Sequence, residues 1–117
     1  MSRILLIDDD EGIRLALTTM LGLYGYAVVE ANEGCQALEI LAFDTEIDLI
    51  VTDNKMNGMG GIEFIEEFKK LGRSIEIIMI TATNNLLCAA DYIIMKPFDS
   101  KCLLAAIEFS LAKHKCA

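Results

Sequence analysis

A chain of 117 residues, 54% hydrophobic and with a single proline, suffices for one domain whose core buries roughly two-thirds of the unfolded surface; no linker, repeat or low-complexity tract interrupts it. The net charge of −8, with ten dispersed Lys and Arg, argues against a nucleic-acid surface, which needs clustered cations. No apolar run approaches the roughly 18 residues of a membrane span, and Cys35, Cys88, Cys102 and Cys116 form no CxxC pair, so they read as small apolar residues in a reducing, cytoplasmic compartment rather than as a metal or redox motif.

The first element is Ile4-Leu5-Leu6-Ile7, too short for a signal-peptide core and followed at once by Asp8-Asp9-Asp10. Ile13, Leu17, Met20, Leu21 and Tyr24 then recur at helical spacing as one apolar stripe, with Asp10 as the cap and Gly25 placed to end the helix. Tyr26 to Ala31 reads as a second strand. Asn32 is the expected N-cap of a helix over about 34 to 43 that turns Ala37, Leu38 and Leu41 inward.

Asp48-Leu49-Ile50-Val51-Thr52-Asp53 is a short apolar run that delivers a carboxylate at its end, the pattern of a strand buried on both faces. Asn54 to Gly61 is a loop, because three glycines in its last four positions favour unusual backbone angles. A helical face of Ile62, Ile65, Phe68 and Leu71 follows, closed by Gly72. Ile77-Ile78-Met79-Ile80 then runs into Thr81, and Tyr92-Ile93-Ile94-Met95 into Lys96-Pro97. Asp99 caps a last helix that packs Leu103, Leu104, Ile107 and Leu111 against the sheet.

Strands alternating with helices imply right-handed crossovers and a doubly wound α/β domain with a five-stranded parallel sheet. The strand order 2-1-3-4-5 is borrowed from known sheets of this type, and it places the first and third strands side by side. Chemistry-bearing residues then converge on the carboxyl edge, where open α/β sheets bind ligands. Asp8, Asp9 and Asp53 repel one another unless a cation joins them. An all-oxygen donor set of this size favours Mg²⁺. With a phosphoryl group held there, Asp53 can attack phosphorus and become an acyl phosphate, Lys96 neutralises a second oxygen and Thr81 hydrogen-bonds a third.

These residues resemble the receiver domain of two-component response regulators, the CheY-like superfamily with its flavodoxin-like fold, along essentially the full chain. Asp8-Asp9 matches the acidic pair, Asp53 the phosphoacceptor, Thr81-Ala82 the switch threonine and its neighbour, and Lys96-Pro97-Phe98 the lysine motif. The resemblance implies a single receiver domain over 1–117, a cis Lys96-Pro97 peptide and the backbone carbonyl of Lys55 as a further metal ligand. It also implies a histidine kinase or phosphotransfer protein as donor and a downstream protein as target. No enzymatic turnover is expected beyond slow self-phosphorylation and self-dephosphorylation, and a homodimer is an admissible assembly.

The chain departs from the family pattern at several points. Asn57 stands where the family usually has proline and Gly60 where an acid or amide is common, so a less rigid loop is expected, and Lys55 brings a cation beside Asp53. Only Ala82 to Asp91 remain for the crossover between Thr81 and Lys96, so the fourth helix is expected to be shortened or missing, with Leu86, Leu87, Ala89 and Ala90 covering part of the sheet. Tyr92 lies four residues before Lys96, one further than the family's switch aromatic, and Ile93 takes the usual place; a displacement of one residue faces the other side of a strand. Two other readings stand beside the switch. One is a degenerate receiver acting as a protein-interaction scaffold. The other is a haloacid-dehalogenase-like phosphatase built on Asp8-x-Asp10, with Asp8 carrying the phosphate.

Overall fold

The computed structural model describes residues 2–82 and 90–115, the side chains of residues 114 and 115 excepted. In chain order the elements are β1 (Arg3–Ile7), α1 (Glu11–Leu23), β2 (Ala27–Ala31), α2 (Gly34–Phe43), β3 (Leu49–Asp53), α3 (Gly61–Lys69), β4 (Glu76–Thr81), β5 (Tyr92–Met95) and α4 (Ser100–Lys115). The strands form one sheet in the order β2-β1-β3-β4-β5, the borrowed order, with all neighbours parallel as the alternation of strands and helices implies.

Why the strands read as unbroken apolar runs is visible in how their side chains alternate. Leu5, Ile7, Ile50, Ile77 and Met79 pack on one face against Ala37 and Leu41 of α2 and Phe64, Ile65 and Phe68 of α3. Ile4, Leu6, Leu49, Val51, Ile78 and Ile80 pack on the other face against Leu21 of α1 and Leu103, Leu104, Ile107 and Leu111 of α4. Burying both faces leaves no room for the polar alternation of a half-solvated sheet. The crossovers linking β1 to β2, β2 to β3 and β3 to β4 each carry a helix, and all the strands end at the same edge.

The helix signals differ from expectation in detail. Asp10 caps α1 through the N–H of Ile13 at 3.0 Å, and Asp99 caps α4 through the N–H of Cys102 at 2.9 Å. The cap of α2 is Glu33 rather than Asn32: the Glu33 carboxylate accepts from Cys35 N–H, whereas the N–H of Asn32 donates to Gln36. In α1 the apolar stripe is buried only at its centre. Leu21 is sequestered and Leu17 and Met20 are partly covered, but Ile13 and Tyr24 are 44% and 62% exposed. Both lie at the ends of α1, Ile13 in its first turn and Tyr24 at its C-cap, while the helix packs mainly on β1 and β2. Leu71 falls beyond the end of α3, in the turn to Gly72, and is exposed.

The expected shortening of the helix between β4 and β5 turns on Leu86, Leu87 and Ala89, which lie outside the described residues. Ala90 does pack against the α2–α3 side of the core. Asp91 then enters β5 by exchanging hydrogen bonds with Ile77, whose N–H it accepts at 2.8 Å and whose carbonyl it meets at 2.9 Å. The Lys96-Pro97 peptide is cis, as the resemblance implied.

Candidate functional site

The carboxyl ends of β1, β3, β4 and β5 gather the residues that the sequence left scattered. Ligand oxygens of Asp8, Asp9 and Asp53 all lie within 4.8 Å of one another. Asp8 and Asp53 are 4% and 8% exposed, and Asp9 is the most open of the three. Lys96 reaches back from the end of β5 so that its Nζ sits 3.0 Å from Asp53 Oδ1. Thr81, buried at the end of β4, lines a cavity of about 130 Å³ with Asp53, Asn54, Lys55, Ala82 and Lys96.

Each of these side chains is set by backbone around it. Asp8 N–H donates to the carbonyl of Ala31 on β2, and Asp8 Oδ1 accepts from the N–H of Asp10 at 2.9 Å. Arg14, from the first turns of α1, closes this corner by donating to the Asp8 carbonyl at 2.7 Å while pairing with Glu30 at 3.0 Å. Lys96 N–H donates to the Thr81 carbonyl at 2.7 Å, which ties the two strand ends that carry the ammonium and the hydroxyl. Gly61 opens α3 so close beneath Asp53 that a Cβ there would stand 2.5 Å from the Asp53 carbonyl oxygen.

The electrostatics follow from burial. Asp8's carboxyl is pushed up from its ordinary value chiefly because it is buried. The N–H of Asp10 and the charge of Lys96 oppose that shift, while Asp53 and Asp9 add to it. Three carboxylates this close repel one another, and an all-oxygen donor set of this kind suits a hard divalent cation. Glu33 behaves in the opposite way: N–H groups of Met59 and Cys35 hold its carboxyl below the ordinary value.

Several groups at the site are not among the residues the sequence assigns to it. Asn54 N–H donates to Asp53 Oδ1 at 2.9 Å and its side-chain amide reaches Thr81 Oγ1 at 3.3 Å, linking acceptor and hydroxyl. Asn57 N–H donates to Asp9 Oδ2 at 3.0 Å, a bond that a proline at this position could not make. Arg14 and Glu33 are further members that only the folded loops reveal. Asp10, by contrast, is occupied at the helix cap and exposed.

The sequence matches the family model of the response regulator receiver domain over residues 4–108. It is 35% identical over 120 residues to response regulator MprA of Mycobacterium leprae, covering 97% of this chain and 52% of that protein. It is 37% identical over 84 residues to sporulation initiation phosphotransferase F of Bacillus subtilis, covering 72% of this chain and 67% of that one. A response regulator receiver domain protein from Clostridium thermocellum superposes with a TM-score of 0.91 at 27% identity, over 99% of this chain and 98% of its own. Response regulator TrrA of Thermotoga maritima, in complex with Mg²⁺-BeF, gives 0.86 at 30% identity, over 95% and 100%. The chain spans about half the length of the MprA relatives, 52% in the protein from M. leprae.

Proposed function

Because the chain belongs to the response regulator receiver domain family, we propose that it is a phosphorylation switch, a single receiver domain over residues 1–117 whose phosphoacceptor is Asp53. The observation that carries this reading is the Lys96–Asp53 pair at 3.0 Å inside a cavity that Thr81 shares. Lys96 and the Asn54 N–H both engage Oδ1 of Asp53, so Oδ2 is the oxygen presented for attack. It attacks the phosphorus of a phosphohistidine on a histidine kinase or phosphotransfer protein. The P–N bond breaks with its electron pair leaving on the imidazole, which takes up a proton, and a P–O bond forms on Asp53. Lys96 and the Thr81 hydroxyl meet the phosphoryl oxygens, and the changed surface alters binding to a downstream protein.

Asp8, Asp9 and Asp53, joined by the backbone carbonyl of Lys55, would hold Mg²⁺, whose charge offsets that of the phosphoryl oxygens during transfer. The phosphatase reading loses its second acid, since Asp10 caps α1. No helix among the described residues is long and apolar enough to cross a membrane. Incubation with acetyl phosphate and Mg²⁺ should add one phosphoryl group by mass, absent in Asp53→Asn. Label on Asp8, or uptake that survives Asp53→Asn, would overturn the assignment.

A further inference from the structure

Of the three clustered acids, Asp9 has the least to hold it in place. Asp8 is buried and bonded to Asp10 N–H, and Asp53 is gripped by Lys96 and Asn54, whereas Asp9 stands more open at the rim. Like charges within 4.8 Å repel, so an open carboxylate gains its place in the cluster from a donor that retains it. The donor here is the main-chain N–H of Asn57, which meets Asp9 Oδ2 at 3.0 Å from the loop between β3 and α3.

That loop is tied down on its far side. Met59 N–H donates to Glu33 Oε1 at 3.3 Å, and Gly34 N–H donates to the Met59 carbonyl at 3.1 Å. Gly58, at φ +81°, passes so close to the Glu33 carboxylate that a Cβ would overlap it. Asp9, Asn32, Glu33, Asn57 and Gly58 together line a cavity of about 260 Å³. The N–H of Asn57 is therefore delivered to Asp9 by a segment anchored on the N-terminus of α2.

We propose that Asn57 is a positioning residue for the cation site, acting through its backbone N–H and not its side chain: it keeps Asp9 in ligating position, and Glu33 supports it by fixing the loop. This inference rests on the cation reading above. Groups that orient a ligating carboxylate typically contribute about 10- to 100-fold in metal affinity.

Proline is the substitution that removes the N–H, and alanine is the one that keeps it. Titration calorimetry with Mg²⁺ alone should find Asn57→Ala equal to the wild type and Asn57→Pro weaker by about tenfold. In an Asp9→Ala background the proline should change nothing, because both changes remove one interaction. Saturating Mg²⁺ should restore phosphoryl uptake in Asn57→Pro. Glu33→Ala, which leaves residue 57 intact, provides a second variant and should weaken Mg²⁺ in the same direction, again only while Asp9 is present. The proposal is overturned if Asn57→Pro binds Mg²⁺ as the wild type does, if Asn57→Ala is as weak as Asn57→Pro, or if the loss persists without Asp9. A wild type that binds no Mg²⁺ would overturn the cation reading itself, and this inference with it.

Discussion

Lys55 follows Asp53 by two residues, lines the same cavity and is exposed, so its side chain lies where a water must approach an acyl phosphate on Asp53. Truncation opens that approach: Lys55→Ala should lose its phosphoryl group several-fold faster than the wild type, measured by the decay of labelled protein, and an unchanged lifetime would dismiss the role. Asp8 makes a prediction about pH. Its folded carboxyl sits above the ordinary value because it is buried, so the folded state keeps a proton that the unfolded chain releases. Without a cation, stability should fall as pH rises through that interval and stay reduced at neutral pH. Asp8→Asn should therefore melt higher than the wild type at neutral pH, the difference vanishing once the solution is more acidic than the ordinary carboxyl value. Mg²⁺ at about a hundred times its Kd should stabilise the wild type by about 2.7 kcal/mol and leave Asp8→Asn unmoved. Asp8, Asp9, Asp53 and Lys96 were legible before folding because a charged group closing an apolar run is conspicuous by residue type. Asn54, Asn57 and Glu33 act through N–H groups or reach across loops, and no residue type announces that.

At the scale of elements, the junction from β3 to α3 sets where Asp53 points. Gly61 is the first residue of α3, and a methyl group there would meet the Asp53 carbonyl at 2.5 Å and Met79 Cε at 2.9 Å. The carbonyl is backbone and cannot step aside cheaply. Gly61→Ala should cost about 1–3 kcal/mol of stability, the range for overpacking, and should slow phosphoryl uptake as the strand end shifts; denaturant unfolding and uptake rate test both. Helix positions were legible from their stripes in α2 and α4, which bury Ala37 and Leu41 and Leu103, Leu104, Ile107 and Leu111. In α3 the spacing found Ile65 and Phe68 but missed the buried Phe64 and included Leu71, which lies past the helix end and is exposed. The Asn32 cap failed for a physical reason: the longer Glu33 side chain reaches both Cys35 N–H and the Met59 N–H of the next loop, a tertiary tie that local preference does not contain. The overhanging ends of α1 are similar, because periodicity identifies a face but not how much sheet lies beneath it.

Across the whole molecule, nothing in five apolar runs states which strand lies beside which, and the order became legible only through the family resemblance. The pairing of strands settles a question the sequence raised about Tyr92. Thr81 is in register with Met95, and Met79 with Ile93, on the face that packs with α2 and α3. Tyr92 is in register with Ile78 on the opposite face, where its ring meets Phe109 of α4 edge-on at 5.7 Å. An aromatic on that side cannot follow a threonine moving on the other by rotating into space the threonine vacates. A shift of Thr81 toward a phosphoryl group on Asp53 is instead felt first by Met95 and Ile93, two apolar side chains already 39% and 43% exposed. Phosphorylation should therefore move the methyl resonances of Ile93 and Met95 while leaving the ring resonances of Tyr92 in place, and Tyr92→Leu should respond to phosphate as the wild type does. A large change confined to Tyr92 would place the coupling on the α4 face instead.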